Sequence, residues 1–60
     1  MTRIVIGEVI IDSKDSIETV LNELEMEYKL ISLEKRDEYF YHLVCEDEYG
    51  RFDIDINLED

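Results

Sequence analysis

The run Arg51-Phe52-Asp53-Ile54-Asp55-Ile56-Asn57-Leu58 alternates apolar and polar residues without a break. A β-strand sends successive side chains to opposite faces. Phe52, Ile54, Ile56 and Leu58 therefore share one face, and Arg51, Asp53, Asp55 and Asn57 the other. The first face must be buried, and the second is left to water or to a partner. A slip of one residue would exchange the two sets, so this strand fixes the phase of whatever pairs with it.

The residues just before it supply the pair. Asp47-Glu48-Tyr49-Gly50 fits a type I turn, which favours Asp first and Gly fourth. With that loop, Glu46 faces Arg51, Cys45 faces Phe52, Leu43 faces Ile54, Tyr41 faces Ile56 and Tyr39 faces Leu58. The apolar residues meet one another, as stable cross-strand pairs do. On the other face His42 lies opposite Asp55, Val44 opposite Asp53 and Phe40 opposite Asn57. A shifted register would set His42 against Ile56. The predicted strand is Tyr39–Glu46.

Residues 2–11 are rich in Ile and Val and read as a strand. Ile4 and Ile6 are in phase, and Val9 and Ile11 are in phase one residue later. A β-bulge at Gly7-Glu8 would put all four on one face. The other reading, a strand buried on both faces, needs more covering chain than is present. Ser13 is the expected N-cap of a helix from about residue 14 to about residue 27, with Asp15 and Glu18 as a rival capping box. Ile17, Val20, Leu21, Leu24 and Tyr28 form its apolar stripe. Lys29–Glu34 reads as a second strand, and Lys35–Glu38 as a polar turn.

The expected fold is α+β: a single small domain over residues 1–60, in which one helix packs on one face of a four-stranded sheet, in the order β-α-β-β-β. The helical crossover makes the first two strands run in the same direction. The Ile17–Tyr28 stripe covers the face of Phe52 and Ile54. The opposite sheet face has no cover.

Charge bounds the function. Seventeen acidic residues stand against six Lys and Arg among 60, a formal net charge of −11. Such a field repels nucleic acid and anionic membrane and attracts cationic surfaces. Glu23, Glu25 and Glu27 sit toward the helix C-terminus, where carboxylates oppose the helix dipole. Only Lys14–Glu18 and Glu25–Lys29 have the spacing of helical ion pairs. Solubility alone would account for much of this acidity, but a surface selected for stability would interleave both signs.

The expected function is a non-enzymatic acidic binding protein, a stoichiometric inhibitor or regulator of a basic, nucleic-acid-binding protein. Its carboxylates would stand in for phosphates, in the manner of small inhibitors of phages and mobile elements. Glu18, Glu23, Glu25, Asp47, Glu48, Asp53 and Asp55 are the candidate acidic contacts. Phe40, Val44 and Tyr49 are candidate apolar contacts, for a partner or for a second copy. The alternative is a structural or assembly module, a homodimer for example, that self-associates through the open sheet face or an edge strand.

No catalytic, cofactor or metal residues are assigned. His42 and Cys45, three apart on a strand, point to opposite faces and cannot form a nucleophile–base pair. Asp53-x-Asp55-x-Asn57 opens like a calcium loop, but Leu58 stands where the glycine is needed. The start Met-Thr-Arg-Ile is no signal peptide, no run approaches membrane-spanning length, and one free cysteine fits the cytoplasm.

Overall fold

A computed structural model describes residues 1–59. The fold is α+β, with one helix and a five-stranded antiparallel sheet. The elements are β1 (Thr2–Ile6), β2 (Val9–Ser13), α1 (Ile17–Glu27), β3 (Lys29–Lys35), β4 (Phe40–Asp47) and β5 (Gly50–Leu58). The strand order across the sheet is β2-β1-β5-β4-β3.

The C-terminal hairpin has the register that alternation requires. Tyr41 pairs with Ile56, Leu43 with Ile54 and Cys45 with Phe52, while His42 pairs with Asp55 and Val44 with Asp53. Leu43, Cys45, Ile54 and Ile56 are the most deeply buried strand residues. Complete burial of side chains of this size stabilises a fold by about 1.5–3 kcal/mol each. Tyr39 lies outside β4, though its carbonyl accepts from the Leu58 N–H at 2.8 Å. In the turn the Asp47 carboxylate accepts from the Tyr49 N–H at 2.8 Å, and Gly50 takes φ +122°, which a side chain would strain.

The N-terminal segment differs from expectation. Gly7-Glu8 is not a bulge but a two-residue turn, and residues 2–13 form a β-hairpin. The order is therefore ββαβββ with five strands, not β-α-β-β-β with four. Gly7 has φ +61° and Glu8 has negative φ, the pattern of a type II′ turn, which matches the twist of a hairpin. The turn still puts the four phased residues on one face, because Ile4 pairs with Ile11 and Ile6 with Val9. It also gives β1 a neighbour on each side, β2 and β5.

The crossover is corrected as well. No two neighbouring strands are parallel. α1 leaves β2 at one edge and enters β3 at the other, spanning the sheet.

The helix begins later than its periodicity suggested, because β2 continues to Ser13. Ser16, not Ser13, is the N-cap, and its Oγ accepts from the Thr19 N–H at 3.3 Å. Ser13 Oγ instead accepts from the Asp15 N–H at 3.1 Å, bending the chain before the helix. Thr2 is buried and its hydroxyl donates to the Asp15 carbonyl at 2.9 Å, tying that bend to β1. Ser16→Ala should cost about 1 kcal/mol in denaturant unfolding, whereas Ser13→Ala should not destabilise the helix. The reverse ranking would place the cap at Ser13.

The apolar stripe packs as spacing requires. Val20 and Leu24 are buried, and Ile17, Leu21 and Tyr28 pack against the core. Tyr28 meets Phe52 edge to face, with ring centroids 5.0 Å apart. At the helix end the Tyr28 N–H donates to the Leu24 carbonyl at 2.9 Å.

Candidate protein-binding surfaces

The single helix covers one face of the sheet and leaves the other open. Alternation along each strand decides what that open face carries: Arg3 and Val5 from β1, Ile10 and Asp12 from β2, Phe40, His42, Val44 and Glu46 from β4, and Arg51, Asp53, Asp55 and Asn57 from β5. Acidic and basic groups are interleaved here. Arg3 Nε lies 2.9 Å from Asp12, and its guanidinium reaches Glu59 at 3.4 Å. Arg51 lies 3.2 Å from Glu46, and Arg36 sits 3.5 Å from Glu34 and over the Phe40 ring.

Asp53 and Asp55 are consequently not bare carboxylates. Asp55 is 2.7 Å from His42 Nδ1, and Asp53 lies 3.8 Å from Nε2 of the same ring. Phe40 and Val44 are half-buried among these neighbours, so the open face carries no continuous apolar patch in its centre. Tyr49 is 90% exposed at the β4–β5 turn, beside the exposed Asp47 and Glu48.

The helix side is different. α1 carries Glu18, Glu23, Glu25 and Glu27 and no basic residue. The two ion pairs expected from spacing, Lys14–Glu18 and Glu25–Lys29, are absent among the described residues: Lys14 precedes the helix and Lys29 belongs to β3. Glu18 and Glu25, seven residues apart, share one flank of the helix. Glu23 falls with Glu27 on the other flank, where both line a groove toward β1 and β2. The candidate acidic contacts thus form separate groups: the two flanks of α1, the β4–β5 turn, and the Asp53–Asp55 pair beside His42 on the open face.

That groove was not expected. Its floor is Ile4, Ile6 and Ile11, its helix wall is Val20, Leu24 and Tyr28, and its volume is about 300 Å³. A second hollow of about 330 Å³ shares Ile6 and Tyr28 with it and runs on to Tyr49. Along the same edge Val9, Ile10 and Ile11 are 56%, 62% and 46% exposed. The sequence held only part of the signal: a Gly-X dipeptide between two β-branched runs suits a hairpin loop as well as a bulge, and only the hairpin adds an edge.

Arg3, Asp12 and Cys45 have displaced proton affinities, with Arg3 raised by its hydrogen bond to Asp12. The hydrogen bond from Arg3 holds the Asp12 carboxyl below the usual carboxylate range. A depressed value means that the pair stabilises the fold above the unfolded carboxylate range, and that this is lost as pH falls through the folded value. Arg3→Ala should therefore return Asp12 to the ordinary range in an NMR carboxyl titration. An unchanged midpoint would show that Arg3 is not the cause. Burial pushes the Cys45 thiol up, in keeping with a core residue that faces away from His42.

Among the described residues no three His, Cys, Asp or Glu side chains converge as metal ligands do. No helix among the described residues is long and apolar enough to cross a membrane. No family model matches the chain, and neither a curated protein nor a solved structure matches it.

Proposed function

We propose that this is a non-enzymatic, acidic binding protein that engages the basic surface of a nucleic-acid-binding protein, as an inhibitor or regulator in the cytoplasm. The observation that carries the reading is the segregation of charge. Every arginine and the lone histidine sit on or beside the open sheet face, each within reach of a carboxylate. The helix side keeps four glutamates with no cation within ion-pair distance among the described residues. Acidity spread for solubility would not sort itself by face. Unpaired carboxylates on a rigid helix suit a surface that otherwise holds phosphates.

The test is capture on immobilised protein from the source cell at low and high salt, with duplex DNA as competitor. The expected partner is basic, is released by DNA and by salt, and is retained several-fold less by the combined Glu18→Gln, Glu23→Gln and Glu25→Gln variant, which keeps its helix because Gln forms helices nearly as well as Glu. Retention that ignores both DNA and the triple substitution would sink the proposal. Self-association is a second reading, favoured by the exposed edge at Val9–Ile11.

A further inference from the structure

The two edges of the sheet are treated differently. β3 is guarded: its register shifts between Leu30 and Ser32, and Lys29 and Lys35 stand at its ends. A bulge and edge lysines are common devices against strand pairing. β2 has neither. Its pairing with β1 is regular along its whole length, and it contains no lysine or proline.

The backbone of β2 is correspondingly open. The turn closes on the Ile6–Val9 pair, so Val9 and Ile11 turn their N–H and C=O groups toward β1. Ile10 and Asp12 turn theirs outward, where no strand of this chain lies. Ile11 lines the groove beside α1, Val9 lies exposed on the same face, and Ile10 lies exposed on the open face. A sixth strand laid along β2 would complete the backbone ladder, and its inward residues would drop into the groove against Ile11, Val20 and Leu24.

Charge decides what that strand is. Glu23 and Glu27 rim the groove, and Glu8 precedes the apolar run on β2, whose Asp12 is already paired with Arg3. A second copy of the chain would bring the same carboxylates and its own net charge of −11 to the same place. A cationic strand would meet Glu8, Glu23 and Glu27 with an opposite charge. We infer that β2 is a docking edge for an extended segment of the basic partner, one that alternates apolar residues with Lys or Arg and adds to the sheet as a sixth strand. Backbone pairing supplies the attachment, the groove selects the apolar residues, and the carboxylates select the cationic ones. The inference rests on the proposed binding of a basic protein and names the feature by which it would be held.

The whole chain is titrated with a short synthetic peptide alternating Val with Lys, and with a control of the same composition in which all Lys precede all Val. Amide exchange is followed residue by residue. The alternating peptide should slow exchange at Ile10 and Asp12 and bind about tenfold or more tightly than the blocked one. Ile10→Pro removes an outward N–H without touching the β1 ladder. Ile11→Lys puts a cation in the groove through a side chain already half exposed. Each should weaken the alternating peptide by about tenfold. Equal binding of both peptides with no protection at Ile10 overturns docking on β2 and leaves general acidic attraction standing. No binding of either at low salt overturns both. Protection at Ile10 that grows with protein concentration, without peptide, makes a second copy the occupant and overturns the cationic strand. Because the exchange measurement uses the unaltered chain, a variant that fails to fold does not decide the matter.

Discussion

Ile54→Asp is expected to abolish cooperative folding, while Asp53→Asn one residue away leaves it nearly untouched. Ile54 is fully buried between the sheet and α1. The substitution removes a core side chain, worth about 2–5 kcal/mol, and buries a carboxylate with no partner, which adds several kcal/mol. A domain of this length has a total stability of about 3–9 kcal/mol, at about 0.05–0.15 kcal/mol per residue. Asp53 lies on the open face with its side chain 68% exposed, and the His42 ring nitrogen is 3.8 Å away. Its replacement should fall within about 0.5 kcal/mol. Thermal melts followed by circular dichroism decide it: equal losses in the two variants would mean that the phase of β5 is wrong.

Leu43 and Leu33 make the second contrast. They are direct partners on neighbouring strands and share one face of the sheet. Leu43 is 1% exposed and Leu33 46%, because β4 lies inside the sheet and β3 at its edge. Leu43→Ala should cost about 2–5 kcal/mol and leave the domain barely folded. Leu33→Ala should cost less than about 1 kcal/mol, since water already reaches much of its side chain. Denaturant midpoints measure both. A loss at Leu33 as large as that at Leu43 would show that further chain packs over β3 in solution.

Both contrasts concern the part of the molecule that alternation made legible. Phe52 to Leu58 and Tyr41 to Cys45 could be registered from sequence because each mispairing sets a charge or an imidazole against the core. The helix stripe from Ile17 to Tyr28 was legible for the same reason, with a period of 3.6 in place of 2. The start of the helix was not, since Ser13 and Ser16 are both good caps and only the length of β2 chooses between them.

Gly7-Glu8 is the instructive failure. A bulge and a two-residue turn each bring residues of opposite parity onto one face, so Ile4, Ile6, Val9 and Ile11 carry the same phase slip under either reading. Local pattern cannot separate them. The choice is made by what lies beside β1, and β5 arrives there from the far end of the chain. The candidate site suffered accordingly. Spacing offered Lys14 to Glu18 and Lys29 to Glu25, and neither pair forms because both lysines lie outside α1, whereas the cross-strand register did place His42 beside Asp55. The β2 edge and its groove do not exist in a four-stranded fold and follow only from the hairpin reading of Gly7-Glu8.

The pairing of β1 with β5 joins the first strand to the last. The Met1 amine donates to the Glu59 carbonyl, and the Glu59 N–H donates back to Met1. Every other strand pair is a hairpin between neighbours in the chain, β1 with β2, β3 with β4 and β4 with β5. The sheet is therefore two local pieces closed by one seam that spans nearly the whole chain. Local hairpins form in microseconds, whereas a long-range seam must first meet the entropy of bringing distant segments together. During synthesis the β1–β2 hairpin would wait with β1's inner edge unpaired until β5 has left the ribosome. The core around Ile54 and Ile56 cannot assemble earlier, because those residues belong to β5, which follows the other four strands of the sheet along the chain.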